Sequence, residues 1–358
     1  MEKTRTNGVI LFLIDNIIWV LVVIALVVFS LISPNFFTPY NLVSILVREA
    51  PIALLVVGQS FTLITGNFDL SAESTMGFTA MAAALLLTTT DEGGLGINLN
   101  PILGIVVMLL IGVGIGALNG FFISKLKMNN FIMTVAMQMV LRGATYAISP
   151  GNSISSLPSA FSWLGGAALF YLPLDGGRRL AIPVSAFFIV LAFLVAYLVT
   201  RHRRFGRNMY AVGSNRSAAQ AAGIDLDKTV ILVYIVSGLC AAFAGLLDAG
   251  RMNSATPRTG EGLTFPVQAA AVIGGISLFG GRGSMVGAFG GMLLWGILDT
   301  GLNIARVSPF WIEVSRGALL LFAMYIDALK VSYLRRISIR KVLVSSTIGL
   351  KDPGWQAE

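Results

Sequence analysis

The chain has 358 residues, 56% of them hydrophobic and only 12% charged, and its mean hydropathy is +0.82. A water-soluble domain carries roughly twice that charged fraction, so the composition excludes one and predicts an integral membrane protein. A single cysteine, Cys240, and a single histidine, His202 in a basic cluster, leave no disulfide framework and no ligand set for a metal.

Apolar runs separated by polar or Gly/Pro-rich breaks predict an all-α polytopic fold of about ten transmembrane helices. They cover 9–32, 46–66, 71–90, 101–124, 130–149, 180–200, 229–250, 263–281, 284–304 and 310–330. The first run is too long for a signal-peptide core and is read as a retained span. Domain organisation follows as a cytoplasmic 1–8, one transmembrane domain over 9–332 containing a cytoplasmic loop at 201–228, and a cytoplasmic tail at 333–358 that ends near Trp355. Placing both termini inside puts most Lys and Arg inside, among them Lys125, Lys127, Arg201, Arg203, Arg204 and Arg207. The net charge of +8 is therefore a topology signal; a basic inner face also suits anionic membrane lipid and gives no evidence for nucleic acid. In the external connection from Ser149 to Arg179, Trp163 and Tyr171 suit the headgroup level, and a short re-entrant helix fits. Arg142 and Arg316 fall within spans, where an arginine snorkels, pairs or lines water, and no partner is assignable.

From Pro51 to Thr90 the only charges are Asp69 and Glu73. If the helix runs unbroken to Asp69, then Gln59, Thr62, Gly66 and Asp69 share one face and line a pathway together with Asn67, Phe68 and Ser71. In the other reading a Gly66-Asn67 break ends the helix, and Asp69 caps the next one. A second Gly-rich break, Val272 to Gly291, echoes the first: Gly66, Leu70, Ser74 and Gly77 match Gly274, Leu278, Ser284 and Gly287 after a two-residue insertion. Paired interrupted spans point to a central site, here including Gly274 and Gly275. The alternative is close packing through small residues, as for Gly112, Gly116 and Gly120 spaced by four. In the cytoplasmic loop, Ser217 to Ala222 (SAAQAA) reads as a short helix bracketed by Gly213 and Gly223, with Asn215 ahead of Ser217, Ala218 and Ala219. Such a knob suits a groove on a soluble partner.

Five stretches in order carry a resemblance: FFTPYNLVSIL (36–46), GQSFTLITGNFDLS (58–71), ALNGFFISKLKMNNFIMTVAMQMVLRG (117–143), FGRNMYAVGSNRSAAQAAGI (205–224) and AVIGGISLFGGRGSMVGAFGG (271–291). Over roughly residues 35–330 the chain resembles the permease subunits of bacterial ABC importers for ribose, xylose, galactose and related monosaccharides. The resemblance implies an inner-membrane importer with a second permease subunit, identical or paralogous. It also implies separate ATPase subunits and an extracytoplasmic solute-binding protein that delivers a sugar-like substrate. The loop with Gly213, Ala218, Ala219 and Gly223 looks like the coupling helix that docks on the ATPase, and Asp69, Leu70 and Ser71 match the family's central acid motif. Two places depart from the family pattern: Gly66, Asn67 and Phe68 stand where two glycines and an aliphatic residue are usual, and Asn129, Asn130, Phe131 and Ile132 where Pro-Pro-Phe-Ile is favoured. The first departure keeps nucleosides or a modified sugar open as substrates. No GxxxxGK[ST] loop occurs, so ATP is expected on a partner and the chain is not itself an enzyme. A proton- or ion-coupled secondary transporter using Asp69 and Glu73 is the competing class.

Overall fold

The computed structural model describes residues 16–174 and 178–322, together with 324, 325 and 328. The N-terminal segment expected to be cytoplasmic, the expected start of the first span and end of the last, and the C-terminal tail with Trp355 lie outside the described residues. The fold is mostly helical. In chain order come α1 (Ile17–Ile32), α2 (Pro39–Ile64), α3 (Ala72–Leu87), α4 (Pro101–Ser124), α5 (Asn130–Ile148) and the short α6 (Ser159–Gly166). There follow α7 (Val184–His202), α8 (Arg204–Ser214), α9 (Arg216–Ala221), α10 (Leu226–Met252), α11 (Thr264–Ile273), α12 (Met285–Ile304) and a helical segment over 309–322.

Six of these, α2, α4, α5, α7, α10 and α12, are long and apolar enough to cross a membrane, and α1, α3 and α11 are shorter apolar helices. Two expectations change. The run 263–281 is not one span, because α11 stops at Ile273; and residues 180–183, expected at the start of a span, belong to a strand that begins at Arg179. That strand, β3 (Arg179–Pro183), pairs antiparallel with β2 (Ala168–Pro173), while β1 (Ile154–Ser155) pairs with β4 (Ser254–Ala255), so the fold is not purely helical.

Local chemistry sets the helix ends. Thr38, Asn100, Asn129, Asn215, Asp225 and Ser284 each accept a backbone N–H in the first turn of the helix they precede, satisfying donors that a helix start leaves over. Pro39 and Pro101 open α2 and α4, where the missing N–H costs nothing.

α10 is the central helix, packing on α2, α3, α4 and α6. Its contact with α4 is close over three turns. A β-carbon at Gly112, Gly116 or Gly120 would lie 2.5 Å from Gly238 O, 2.2 Å from Tyr234 O or 2.7 Å from Ile231 Cα. The four-residue glycine spacing is thus a seam of backbone on backbone, as small-residue interfaces in membranes are. One end of the bundle gathers 64–71, 124–130, 203–228 and 274–284; the other gathers the two small sheets, α6 and the connection 253–263.

Candidate functional site

Both Gly-rich breaks end a helix in the same way. After α2, the Gly66 N–H donates to Leu63 O and the Asn67 N–H to Thr62 O; after α11, the Gly275 N–H donates to Val272 O and the Ile276 N–H to Ala271 O. This is the Schellman pattern, which needs a left-handed residue after the helix, and Gly66 (φ 71°) and Gly275 (φ 91°) supply it. The structural equivalents are therefore Gly66 with Gly275, and Ser71 with Ser284 at the following helix start. The matching of Gly66 to Gly274 is one residue out of register.

The two breaks touch each other, and α8 touches both. The Gly281 N–H donates to Ile64 O at 2.8 Å, and Gly280 packs on Gly66 closely enough that a β-carbon would come within 2.8 Å of its Cα. Gly213 faces the same carbonyl: a β-carbon there would lie 1.9 Å from Ile64 O and 2.6 Å from Gly281 N. Tyr210 on α8 donates its hydroxyl to Gly283 O at 2.9 Å, and burial pushes its phenol pKa up, so it stays a donor. Arg216, opening α9, donates to Asn67 Oδ1 at 3.0 Å, and Asn130 at the start of α5 donates to the same oxygen at 3.2 Å. Asn67 and Asn130, which belong to the two departures from the family pattern, are thus hydrogen-bonded neighbours.

Asp69 sits just beyond, buried. Its Oδ1 accepts from the Ser71 N–H (3.0 Å) and Ser71 hydroxyl (2.7 Å), and its Oδ2 from the Ser237 hydroxyl on α10 (2.6 Å). Asn119 of α4 donates to Ser71 Oγ, and Tyr234 of α10 donates to the Phe68 carbonyl. The segment between α2 and α3 is therefore bolted to the α4/α10 pair. Glu73, one turn on, accepts from Gln138 Nε2 (2.9 Å) and from the Thr264 N–H that opens α11 (2.8 Å), and faces Arg142 at 3.6 Å. Arg142 also donates to the carbonyls of Pro257 and Thr259. That pairing was invisible in sequence because its partners lie far along the chain.

At the opposite end an open cavity of about 670 Å³ lies between α2, α10, α11, α12 and the last helical segment. Its wall mixes Trp295 with ion pairs: Arg251 with Asp248 at 2.7 Å, and Arg316 with Asp299 at 2.6 Å and Glu313 at 2.9 Å. Glu49 also lines it, buried, with Oε2 unpaired. Among the described residues no group of His, Cys, Asp or Glu is placed to hold a metal ion.

Residues 41–324 match the family described as "Branched-chain amino acid transport system / permease component". Curated relatives point to sugars instead. The ribose import permease protein RbsC of Escherichia coli (strain K12) is 34% identical over 316 residues, 87% of this chain and 92% of that protein. The Bacillus subtilis (strain 168) ribose import permease is 35% identical over 308 residues, covering 86% and 90%. The galactose/methyl galactoside import permease protein MglC of E. coli is 30% identical over 339 residues, covering 92% and 98%. The chain belongs to the permease family of carbohydrate-uptake ABC transporters. No solved structure matches it.

The permease is a multi-pass inner-membrane subunit and not an enzyme, which replaces the ion-coupled reading. Its residues singled out in sequence divide into two groups. Gly66, Asn67, Phe68, Asp69, Ser71, Gly274, Gly275 and Gly213 lie at or beside the junction. Gln59 and Thr62 are buried inside α2, which ends at Ile64, so the unbroken face from Gln59 to Asp69 does not exist. Gly213 does not bracket a helix; it lies within α8, an element the sequence reading took as loop. Asn215 caps α9, leaving Ser217 and Ala218 exposed and Ala219 buried, and Gly223 (φ 79°) ends it with a third Schellman turn. Sequence reading missed Tyr210, Arg216, Ser237, Glu49 and Asp299. Arg216 and Tyr210 sat inside the quoted loop motif and carried the only available signal.

Proposed function

We propose that this permease is the membrane subunit of an importer for a monosaccharide or a closely related neutral polyhydroxylated solute. A solute-binding protein delivers that solute to the end with the cavity, and an ATPase subunit docks on the α8/α9 end. The observation that carries the reading is the junction: one short pair of helices, exposed on its outer side, bonds directly to both interrupted spans through Arg216, Tyr210 and Gly213. A push on α9 therefore reaches the first break directly through Arg216 and both breaks through the adjoining α8, and a second permease copy or paralogue completes the path between two such chains. The junction end is cytoplasmic, in keeping with Lys125, Lys127 and the arginines from Arg201 to Arg216 gathered there. Asn67, Asp69 and Gly275 control the inner opening, and the mixed acid and guanidinium wall of the cavity suits hydroxyl groups that both donate and accept.

The test is uptake of D-ribose, D-galactose, D-allose and L-arabinose by vesicles loaded with ATP, carrying the permease with its co-purifying subunits and the purified binding protein. ATP-dependent uptake of one of these that persists in the presence of a protonophore is expected. Uptake of none, or uptake that collapses with the proton gradient at constant ATP, overturns the proposal.

A further inference from the structure

A second concavity has the opposite character. Between α4 and α7, floored by α2 and α10, runs a groove of about 500 Å³ whose lining is entirely apolar and includes Phe61, Phe188, Val195, Val199, Phe205 and Cys240. From Phe188 to Val199 along α7 it extends about 16 Å at 1.5 Å per residue, close to half of a hydrocarbon core of roughly 30 Å. The groove is thus one leaflet deep. Its residues on α7 recur at helical spacing, Ala192, Val195, Ala196 and Val199. The helix ends at His202, and Arg203 follows as its C-cap in extended backbone, its N–H donating to Val199 O. At this end Phe205, stacked on Phe61 at 6.2 Å, closes the slot, and Arg203 and Arg204 stand exposed without an ion-pair partner among the described residues.

An apolar slot the length of one leaflet, with unpaired guanidinium groups exposed beside its Phe205 end, has a shape and charge complementary to an anionic phospholipid. We infer that the groove binds one acyl chain of an anionic phospholipid from the leaflet on the α8 side, with its phosphate held by Arg203 and Arg204. Guanidinium pairs well with phosphate, and the inner leaflet carries the anionic lipid. The site touches α8 at Phe205, so the bound lipid packs against the same helix that carries Tyr210 and Gly213 to the breaks. It is separate from the solute cavity and independent of which solute is moved.

The test uses the full chain purified in detergent, offered equal amounts of phosphatidylglycerol and phosphatidylcholine and read by native mass spectrometry. Retention of one phosphatidylglycerol per chain is expected, at least fivefold reduced in Ala192→Phe, which fills the slot. In Arg203→Gln/Arg204→Gln, both changes on the exposed surface, the preference for phosphatidylglycerol should fall at least threefold while total lipid is kept. Alkylation of Cys240, the only cysteine in the chain, by N-ethylmaleimide should slow severalfold on adding phosphatidylglycerol. Equal retention by wild type and Ala192→Phe, or no preference for the anionic lipid in wild type, overturns the inference. So does Cys240 protection that is complete without lipid, since a second copy or a terminal segment would then cover the groove.

Discussion

Arg216 and Asn67, 149 positions apart in sequence, meet at 3.0 Å, and this one hydrogen bond joins the start of α9 to the end of α2. Because Asn67 is buried and Arg216 opens a surface helix, the bond connects an exposed outer element to a buried inner one.

Asn67→Ala and Arg216→Gln should each lower ATP-dependent uptake roughly tenfold or more, since hydrogen bonds to charged groups contribute about 1.5–3 kcal/mol. ATP hydrolysis by the assembled complex should continue. A double-mutant cycle checks the direct link: the pair of changes together should be little worse than either alone, and full additivity would exclude a shared bond.

Gly213→Ala places a β-carbon 1.9 Å from the Ile64 carbonyl oxygen and must separate α8 from the breaks. Uptake should fall at least tenfold. Gly223→Ala meets open space and carries only the left-handed backbone cost of about 1–2 kcal/mol, so its uptake should stay within a few fold of wild type. Comparable losses in the two variants would remove Gly213 from the coupling route.

Ala218 and Ala219 answer different questions. Trp at exposed Ala218 can clash only with a partner, so it should release the ATPase subunit from membranes while the permease remains inserted; normal ATPase retention would sink the docking surface. Trp at buried Ala219 overpacks the permease's own α9 and should cost about 1–3 kcal/mol of stability whether or not a partner binds.

Asp69→Asn keeps an acceptor for the Ser71 N–H, and the Ser237 hydroxyl can turn to accept from the new amide. Expression and more than half of the uptake should survive. Asp69→Ala removes the acceptor of the Ser71 N–H and of the Ser71 and Ser237 hydroxyls and should cost about 1–3 kcal/mol, seen as reduced thermal stability in detergent and lost uptake. Normal expression of Asp69→Asn with abolished uptake would return its charge to the solute path.

Much of the junction was legible in parts but not as a whole. Local signals marked both glycine breaks, the helix that Asn215 caps and the Gly112–Gly116–Gly120 seam, because capping, left-handed turns and small-residue spacing act over a few residues. The end of α2 at Ile64 was harder, since Gly66 reveals a stop only once its Schellman bonds are seen. The partners of Arg142 and the Ser237 partner of Asp69 lie dozens to more than a hundred residues away, and nothing in a single sequence encodes that distance. The one-residue error in matching the breaks arose because Gly274 and Gly275 are adjacent and only one takes the left-handed conformation.

The α4/α10 seam has a mechanical corollary. With backbone against backbone at Gly112, Gly116 and Gly120, sliding either helix along the other by one residue would drive a side chain into a carbonyl, so the pair resists axial slip like meshed gear teeth. Tyr234 and Ser237, which hold Phe68 and Asp69, ride on that pair. The α2–α3 segment is therefore pinned to a pair that does not slip, while the 274–284 segment is tied to α8, to Ile64 and to the start of α12. Strain arriving through α8 at Gly213 therefore meets, at the first break, a segment braced against axial slip.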